Sequence, residues 1–342
     1  MLTLERCDSQ MREKKSARDT GPATATLSLD LDNRWSYLKT HGNPKWEHAP
    51  SYLPLVVPRV LDLLNTLDIK ITWFIVGRDA EMPENLESLQ AIVRANHEIA
   101  NHSYNHEPWL HLYSPCELEE EIERAETAIT KATGQRPVGF RGPGFSYSDK
   151  TLEILAARGY LYDASLLPTF IGPLARIYYF LTARLSRRER EKRAALFGSF
   201  RQGLRPNRAF RIETNAGLIL QIPVTTLPLL RTPIHVSYLV YLSSFCERAA
   251  DQYCRIALAL CRLTGTHPSW LLHPLDFLGS EEAPDLSFFP GMNISSTRKI
   301  ARVSRWLKML KNDYEVCTLR TYASRFAASN RDGRTLNGSS CG

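Results

Sequence analysis

Hydrophobic and polar positions follow two periods along the chain, and each period predicts its own elements. The runs ATLSLDL, IKITWFIV and SWLLH are nearly continuous in apolar and β-branched residues. Such runs predict strands buried on both faces. In order, strands are expected at Thr26–Leu31, Ile69–Val76, Glu98–Ala100, Val138–Arg141, Tyr160–Asp163, Leu218–Val224, Ser269–His273 and Tyr314–Thr318, and His235–Tyr241 also reads as extended. Between them, apolar residues at helical spacing predict helices over Leu53–Leu67, Leu86–Ala95, Glu117–Thr133, Asp149–Arg158, Phe245–Leu263 and Thr297–Lys311. Ser114 is placed to cap the third of these and Gly134 to stop it. Asn33–Tyr52 reads as a polar loop carrying Trp35, Tyr37 and Trp46.

Strands alternating with helices imply an α/β fold with a parallel sheet covered by helices. About seven strands, with no internal repeat and no G-x-G-x-x-G after a strand, favour a closed or nearly closed β/α barrel over an open doubly wound sheet. Residues 1–22 read as a disordered leader, 23–328 as the barrel, and the polar stretch 329–342 as a disordered tail. Residues 166–211 break the strand–helix pattern and read as a helical insertion.

Composition narrows this further. A chain of 342 residues, 43% apolar, buries enough surface to fold without disulfides or a structural metal. Its seven cysteines contain no C-x-x-C pair, which argues against zinc fingers and a disulfide scaffold. Cys246, Cys254 and Cys261, spaced along one helix face, read as small buried hydrophobes. The charged first residues lack the apolar core of a signal peptide, and no run is long and apolar enough to span a bilayer. A cytoplasmic protein, peripheral at the inner face of a membrane, is the resulting expectation.

The net charge of +7 is not spread evenly. Residues 166–211 hold eleven Lys and Arg and two Glu, so this segment alone is +9 and the rest of the chain is slightly acidic. That distribution argues against a nucleic-acid-binding protein. Arg176, Arg184, Arg187, Arg188, Arg190 and Arg193 flank an apolar stripe at Leu174, Ile177, Tyr178, Leu181 and Leu185. The segment reads either as an insertion packed on the barrel or as a contact for an anionic membrane surface or an acidic glycan.

Five polar clusters fall at expected strand ends, where barrels of this kind carry their chemistry. Asp30-Leu31-Asp32 puts two carboxylates on one side of a strand; it suits a cation, and equally a solvated strand end. His102 and His106, spaced H-x-x-x-H, would share one face of a helical turn. With Asp32 they would form a two-His, one-carboxylate metal face with open positions. Arg141 precedes a Gly-Pro-Gly turn, Asp163 ends the Tyr160–Asp163 strand, and His273 follows Leu271-Leu272. Each alone also reads as an ordinary turn, cap or core residue. His97 lies outside the H-x-x-x-H spacing and reads as structural.

Taken in this order, the five clusters resemble the motif set of the polysaccharide deacetylases, the NodB-homology group of carbohydrate esterase family 4. The resemblance covers roughly residues 24–165 and 212–320. It implies a distorted (β/α) barrel and a hydrolase that removes N-acetyl groups from a carbohydrate, a polysaccharide or glycan precursor. It further implies one divalent metal ion, Zn2+ first and Co2+, Ni2+ or Mn2+ otherwise, and a metal-activated water. By resemblance, Asp32, His102 and His106 are metal ligands, Asp30 the base, Arg141 the residue that orients it, and His273 the acid. Gly144 would offer an oxyanion N–H, Leu271 would line the acetyl pocket, and Asp163 would hold His273. Leu31 separates two aspartates that more often stand adjacent, and Gly144 occupies a position where an aromatic residue is usual. The competing functions are a metal-dependent hydrolase of a non-sugar amide and an inactive barrel that binds glycan or an envelope partner.

Overall fold

The computed structural model describes residues 23–170 and 203–335. Its centre is one nine-stranded sheet. The strands are β1 (Thr24–Asp30), β2 (Thr72–Ile75), β3 (Glu98–Asn101), β4 (Gly139–Phe140), β5 (Tyr162–Asp163), β6 (Phe210–Thr214), β7 (Gly217–Gln221), β8 (Ser269–Leu272) and β9 (Glu315–Cys317). Their order is β6-β7-β5-β4-β3-β2-β1-β8, with β9 beside the first residues of β1. Every pairing is parallel except the β6–β7 hairpin. The sheet curls into a half-barrel, and Thr225 N donates to Ser269 O (2.9 Å) to bridge the segment after β7 to β8.

Helices α1 (Arg34–His41), α2 (Leu53–Thr66), α3 (Gly77–Ala80), α4 (Leu86–Arg94), α5 (Pro115–Thr133) and α6 (Asp149–Ala157) connect the first five strands. After β7 come α7 (Val236–Phe245) and α8 (Glu247–Thr264), and then α9 (Ser296–Asp313) and α10 (Leu319–Thr335). Among the described residues, no helix is long and apolar enough to cross a membrane.

Side-chain parity divides the sheet into two faces. Leu27 and Leu29 of β1 with Leu31 just beyond it, Trp73 and Ile75 of β2, and Trp270 and Leu272 of β8 pack outward into the large core beneath the helices. Phe74, Ala100, Tyr162, Ala164 and Leu220 face the interior, where Leu319 and Ala323 of α10 close the lower end. This leaves the C-terminal ends of the strands as the open mouth.

The expected barrel, the Ser114 N-cap and the Gly134 stop are present; Ser114 forms a capping box with Glu117, and Gly134 sits at φ 71, in the left-handed region that suits glycine. Four expectations change. Asn33–Tyr52 is not all loop: Asn33 Oδ1 caps α1 by accepting from Arg34 N, and Gly42 ends it at φ 86. His235–Tyr241 is not extended but the start of α7, with His235 as its cap. Its β-branched and aromatic residues look like a strand, and packing of Val236, Leu239 and Val240 into the core overrides that propensity. The chain past Ser329 is helical through Thr335. The inserted segment also ends earlier than expected, because Phe210 and Arg211 belong to β6. Its residues 171–202, the leader 1–22 and residues 336–342 lie outside the described residues.

Candidate active site

Alternation along β1 builds the first part of the site. Leu31 packs in the outer core, so Asp30 and Asp32 on either side of it both turn inward, 4% and 6% exposed. Two carboxylates placed so close need positive partners. Asp30 finds one in Arg141, whose Nη1 donates to Asp30 Oδ1 at 2.6 Å. The guanidinium is fully buried and also donates to Ser28 Oγ (2.9 Å) and Ala164 O (3.0 Å), while resting over the Phe74 ring. Ser28 Oγ in turn donates to Trp270 O (3.2 Å).

Asp32 meets the two histidines. Its Oδ1 lies 2.9 Å from His106 Nε2 and 3.3 Å from His102 Nε2. One ligand atom from each of the three residues lies within 4.8 Å of the others. The segment between the histidines is not a helical turn, as the spacing suggested. It is a loop with Ser103 at φ 61 and His106 at φ 52, a conformation that costs non-glycine residues energy and persists only when held. Glu121 of α5 holds it: its carboxylate accepts from Tyr104 N (3.0 Å), Asn105 N (2.6 Å) and Asn105 Nδ2 (2.9 Å). Asn101 Oδ1 accepts from Ser103 N (2.8 Å).

These residues fit a divalent cation. His102 Nδ1 lies 2.7 Å from Arg141 O. A carbonyl only accepts, so Nδ1 carries the hydrogen and Nε2 presents its lone pair to the cluster. A lone pair and a carboxylate oxygen 3.3 Å apart in a buried site call for a shared positive charge. The titration shifts show the same demand. Burial pushes the His102 ring toward neutrality, but Asp30 and Asp32 outweigh it and raise its pKa. Burial opposes ionisation of Asp32, yet His106 and His102 hold its carboxyl well below the usual range.

The mouth is completed from β8. Ser269, Leu271 and His273 alternate with Trp270 and Leu272, so Leu271 and His273 turn inward. His273 Nε2 lies 4.0 Å from Asp30 Oδ2. Gly144, at φ 59 on an exposed turn, abuts Pro108, just beyond His106. Tyr52 donates its hydroxyl to Asp32 O (2.6 Å). Trp35 is buried and donates Nε1 to Asp79 (2.8 Å), so it packs beneath the site. Trp46, more exposed, has Lys39 and Arg78 over its ring.

Asp163 does not hold His273. It pairs in register with Phe140 and Gln221, and Phe140 packs in the core under α5 and α6, so the Asp163 carboxylate is on the face turned away from the mouth. It accepts from Ser165 N (3.1 Å), Ser165 Oγ (2.5 Å) and Gln221 Nε2 (2.6 Å), and burial raises its pKa to about 6. The neighbours of His273 are instead Ser237 and Asp276, neither singled out from the sequence. Asp276 stands three residues after His273, a cap-like spacing that was a usable signal. Ser237 and Glu121 carried no local signal. His97 is structural as expected: its Nδ1 accepts from Ile71 N (3.1 Å).

Residues 46–162 match the family model for polysaccharide deacetylase. Over these residues, about a third of its length, the chain is similar to the polysaccharide deacetylase family. The matched stretch includes His102, His106, Arg141 and Gly144; Asp30, Asp32, Leu271 and His273 lie outside it. The chain is 38% identical over 125 residues to a peptidoglycan deacetylase-like protein of Gibberella zeae, covering 36% of this chain and 35% of that protein. It is 32% identical over 117 residues to a peptidoglycan deacetylase of Helicobacter pylori, covering 34% of this chain and 39% of that one. The chain thus matches little more than a third of the length of these relatives. In fold, the chain is similar to a Mycobacterium smegmatis structure described as a polysaccharide deacetylase, with a TM-score of 0.59, 19% identity, and 92% and 95% of the two chains covered.

Proposed function

We propose that this protein is a metal-dependent hydrolase that removes N-acetyl groups from a carbohydrate. One observation carries the reading: a two-His, one-carboxylate cluster, an Arg-held carboxylate and an imidazole all converge at the mouth of one barrel. Asp32, His102 and His106 are the residues that would hold a divalent metal, zinc first among the candidates by ligand type. Such an ion supplies a Lewis acid that polarises an amide carbonyl and acidifies water.

The chain's own groups supply the proton traffic. Asp30 takes the proton of the attacking water. Arg141 holds Oδ1, which leaves Oδ2 turned toward His102 and His273. His273 Nε2 delivers a proton to the nitrogen as its bond to the acetyl carbon breaks, so that it leaves as an amine. Leu271 packs the acetyl methyl, and the Gly144 N–H donates to the carbonyl oxygen as negative charge develops there. The names of the relatives make N-acetylglucosamine polymers the first substrates to test.

The test is acetate release by the zinc-loaded full chain from peptidoglycan and from chitooligosaccharides, with Asp30→Asn as the control. Release from either, abolished in the variant, is expected. No release from any N-acetylated glycan, with metal bound and the fold intact, overturns the reading.

A further inference from the structure

We infer that Ser237 and Asp276 are positioning residues that decide which nitrogen of His273 carries its hydrogen. This deepens the deacetylase reading, on which it rests for the role of His273 as proton donor. Ser237, in the first turn of α7, places its Oγ 2.8 Å from His273 Nδ1. The same hydroxyl donates to Asp276 Oδ2 at 2.9 Å, and that carboxylate oxygen also accepts from His273 N at 2.8 Å.

A hydroxyl has one hydrogen to donate. With that hydrogen directed to Asp276, Ser237 Oγ can only accept from the ring. Nδ1 must then be the N–H, and Nε2 the atom that gains and loses a proton. Nε2 is the nitrogen that faces Asp30 Oδ2 across the mouth. The opposite tautomer would put the exchangeable position on Nδ1, turned away from the reacting atoms.

The surroundings hold this arrangement in place. Asp276 is 2% exposed, and Lys299, 1% exposed, donates Nζ to Leu275 O (2.7 Å) and Leu278 O (2.6 Å) on either side of it. The charged and titratable groups facing His273 are Asp30 across the mouth, Asp276 at its backbone N–H, and the His235 ring 6.4 Å away. Burial, with His273 and Arg141 adding to it, lowers the His235 pKa to about 3, so that ring stays neutral; burial also raises the Asp276 pKa, and His273 and the Ser237 hydroxyl act against that rise. Ser237 and Asp276 therefore do what Asp163, on the wrong face of its strand, cannot.

The experiment is nitrogen-15 NMR of histidine-labelled, zinc-loaded full-length protein, with the His273 signals assigned by their loss in His273→Gln. At a pH where the ring is neutral, wild type should show the hydrogen on Nδ1. Ser237→Ala should shift His273 toward the Nε2–H form. It should also lower kcat by about 10²-fold, with KM changed by no more than about twofold. Ser237→Thr, which keeps the hydroxyl, should retain the tautomer and most of kcat. Asp163→Asn should alter neither. An Nε2–H tautomer in wild type, or an unchanged tautomer in Ser237→Ala, overturns the inference. If Ser237→Ala does not fold, the wild-type and Ser237→Thr spectra still decide it. The tautomer is read without substrate, so a failure to release acetate counts against the deacetylase reading alone.

Discussion

Strand β3 has a buried histidine at each end, and the two behave oppositely. At the lower end, His97 is 4% exposed; burial, with Lys70 adding to it, lowers its pKa to about 4. At the upper end, His102 is 1% exposed, yet its pKa is raised because Asp30 and Asp32 outweigh the burial. The same residue type, on one strand and equally buried, serves as a neutral packing group in one place and part of a charged centre in the other. Burial sets the default, and the nearby carboxylates decide the outcome. The lower end of the barrel is therefore built for stability, and the upper end for charge.

The strongest way to break this contrast is to remove a ligand from the upper end. His106→Ala should lose bound metal and reduce acetate release to background, with the two losses read together by elemental analysis and a turnover assay. Metal retained at full occupancy would remove His106 from the ligand set. Asp30→Asn separates charge from ligation at the same end: metal should be kept while kcat falls by about 10²–10⁴-fold, the range for a positioned acid or base. Loss of metal in that variant would make Asp30 a ligand.

Glu121→Ala sharpens the contrast from beneath, since Glu121 anchors the loop between the two histidines without touching the cluster itself. Weakening of metal affinity by about 10–100-fold is expected, the usual cost of losing a supporting group, and a chelator competition titration measures it. The smallest effect belongs to the lower end. His97 Nδ1 accepts from Ile71 N, so the ring must be neutral in the folded state. With a folded pKa near 4 against about 6.5 unfolded, its contribution is complete above about pH 6.5 and is lost as the pH falls through 4. Denaturant titrations should show wild type losing on the order of 2 kcal/mol more than His97→Asn between pH 7 and pH 4. Equal losses would mean that His97 is not the group being titrated.

Much of this was legible along the chain. The inward pair Asp30 and Asp32 followed from period-two alternation, and Leu31 in the outer core is the structural counterpart of that pattern. The convergence of His102, His106 and Asp32 followed from residue type and strand-end placement, although the helical turn expected for the histidines is a loop with two left-handed residues. Asp163 misled for a reason of parity. The motif order put it at a strand end, but one residue of register decides which face of a strand a side chain takes. Strand β5 gives its inward face to Tyr162 and Ala164.

Local patterning along the chain is enough for the alternating barrel, its apolar strands and the set of reactive residue types at their ends. These depend on spacing between neighbours in the chain, which backbone geometry converts directly into sides and faces. Which polar groups support them depends on packing between distant segments. Glu121 reaches the loop between His102 and His106 from α5, Ser237 reaches His273 from a helix whose residues read as a strand, and Arg141, just past β4, spans to Asp30 on β1. Each of these is a hydrogen bond between segments distant in sequence. Such bonds exist because packing buries a donor and an acceptor together, where leaving either unpaired would cost more than the bond itself contributes.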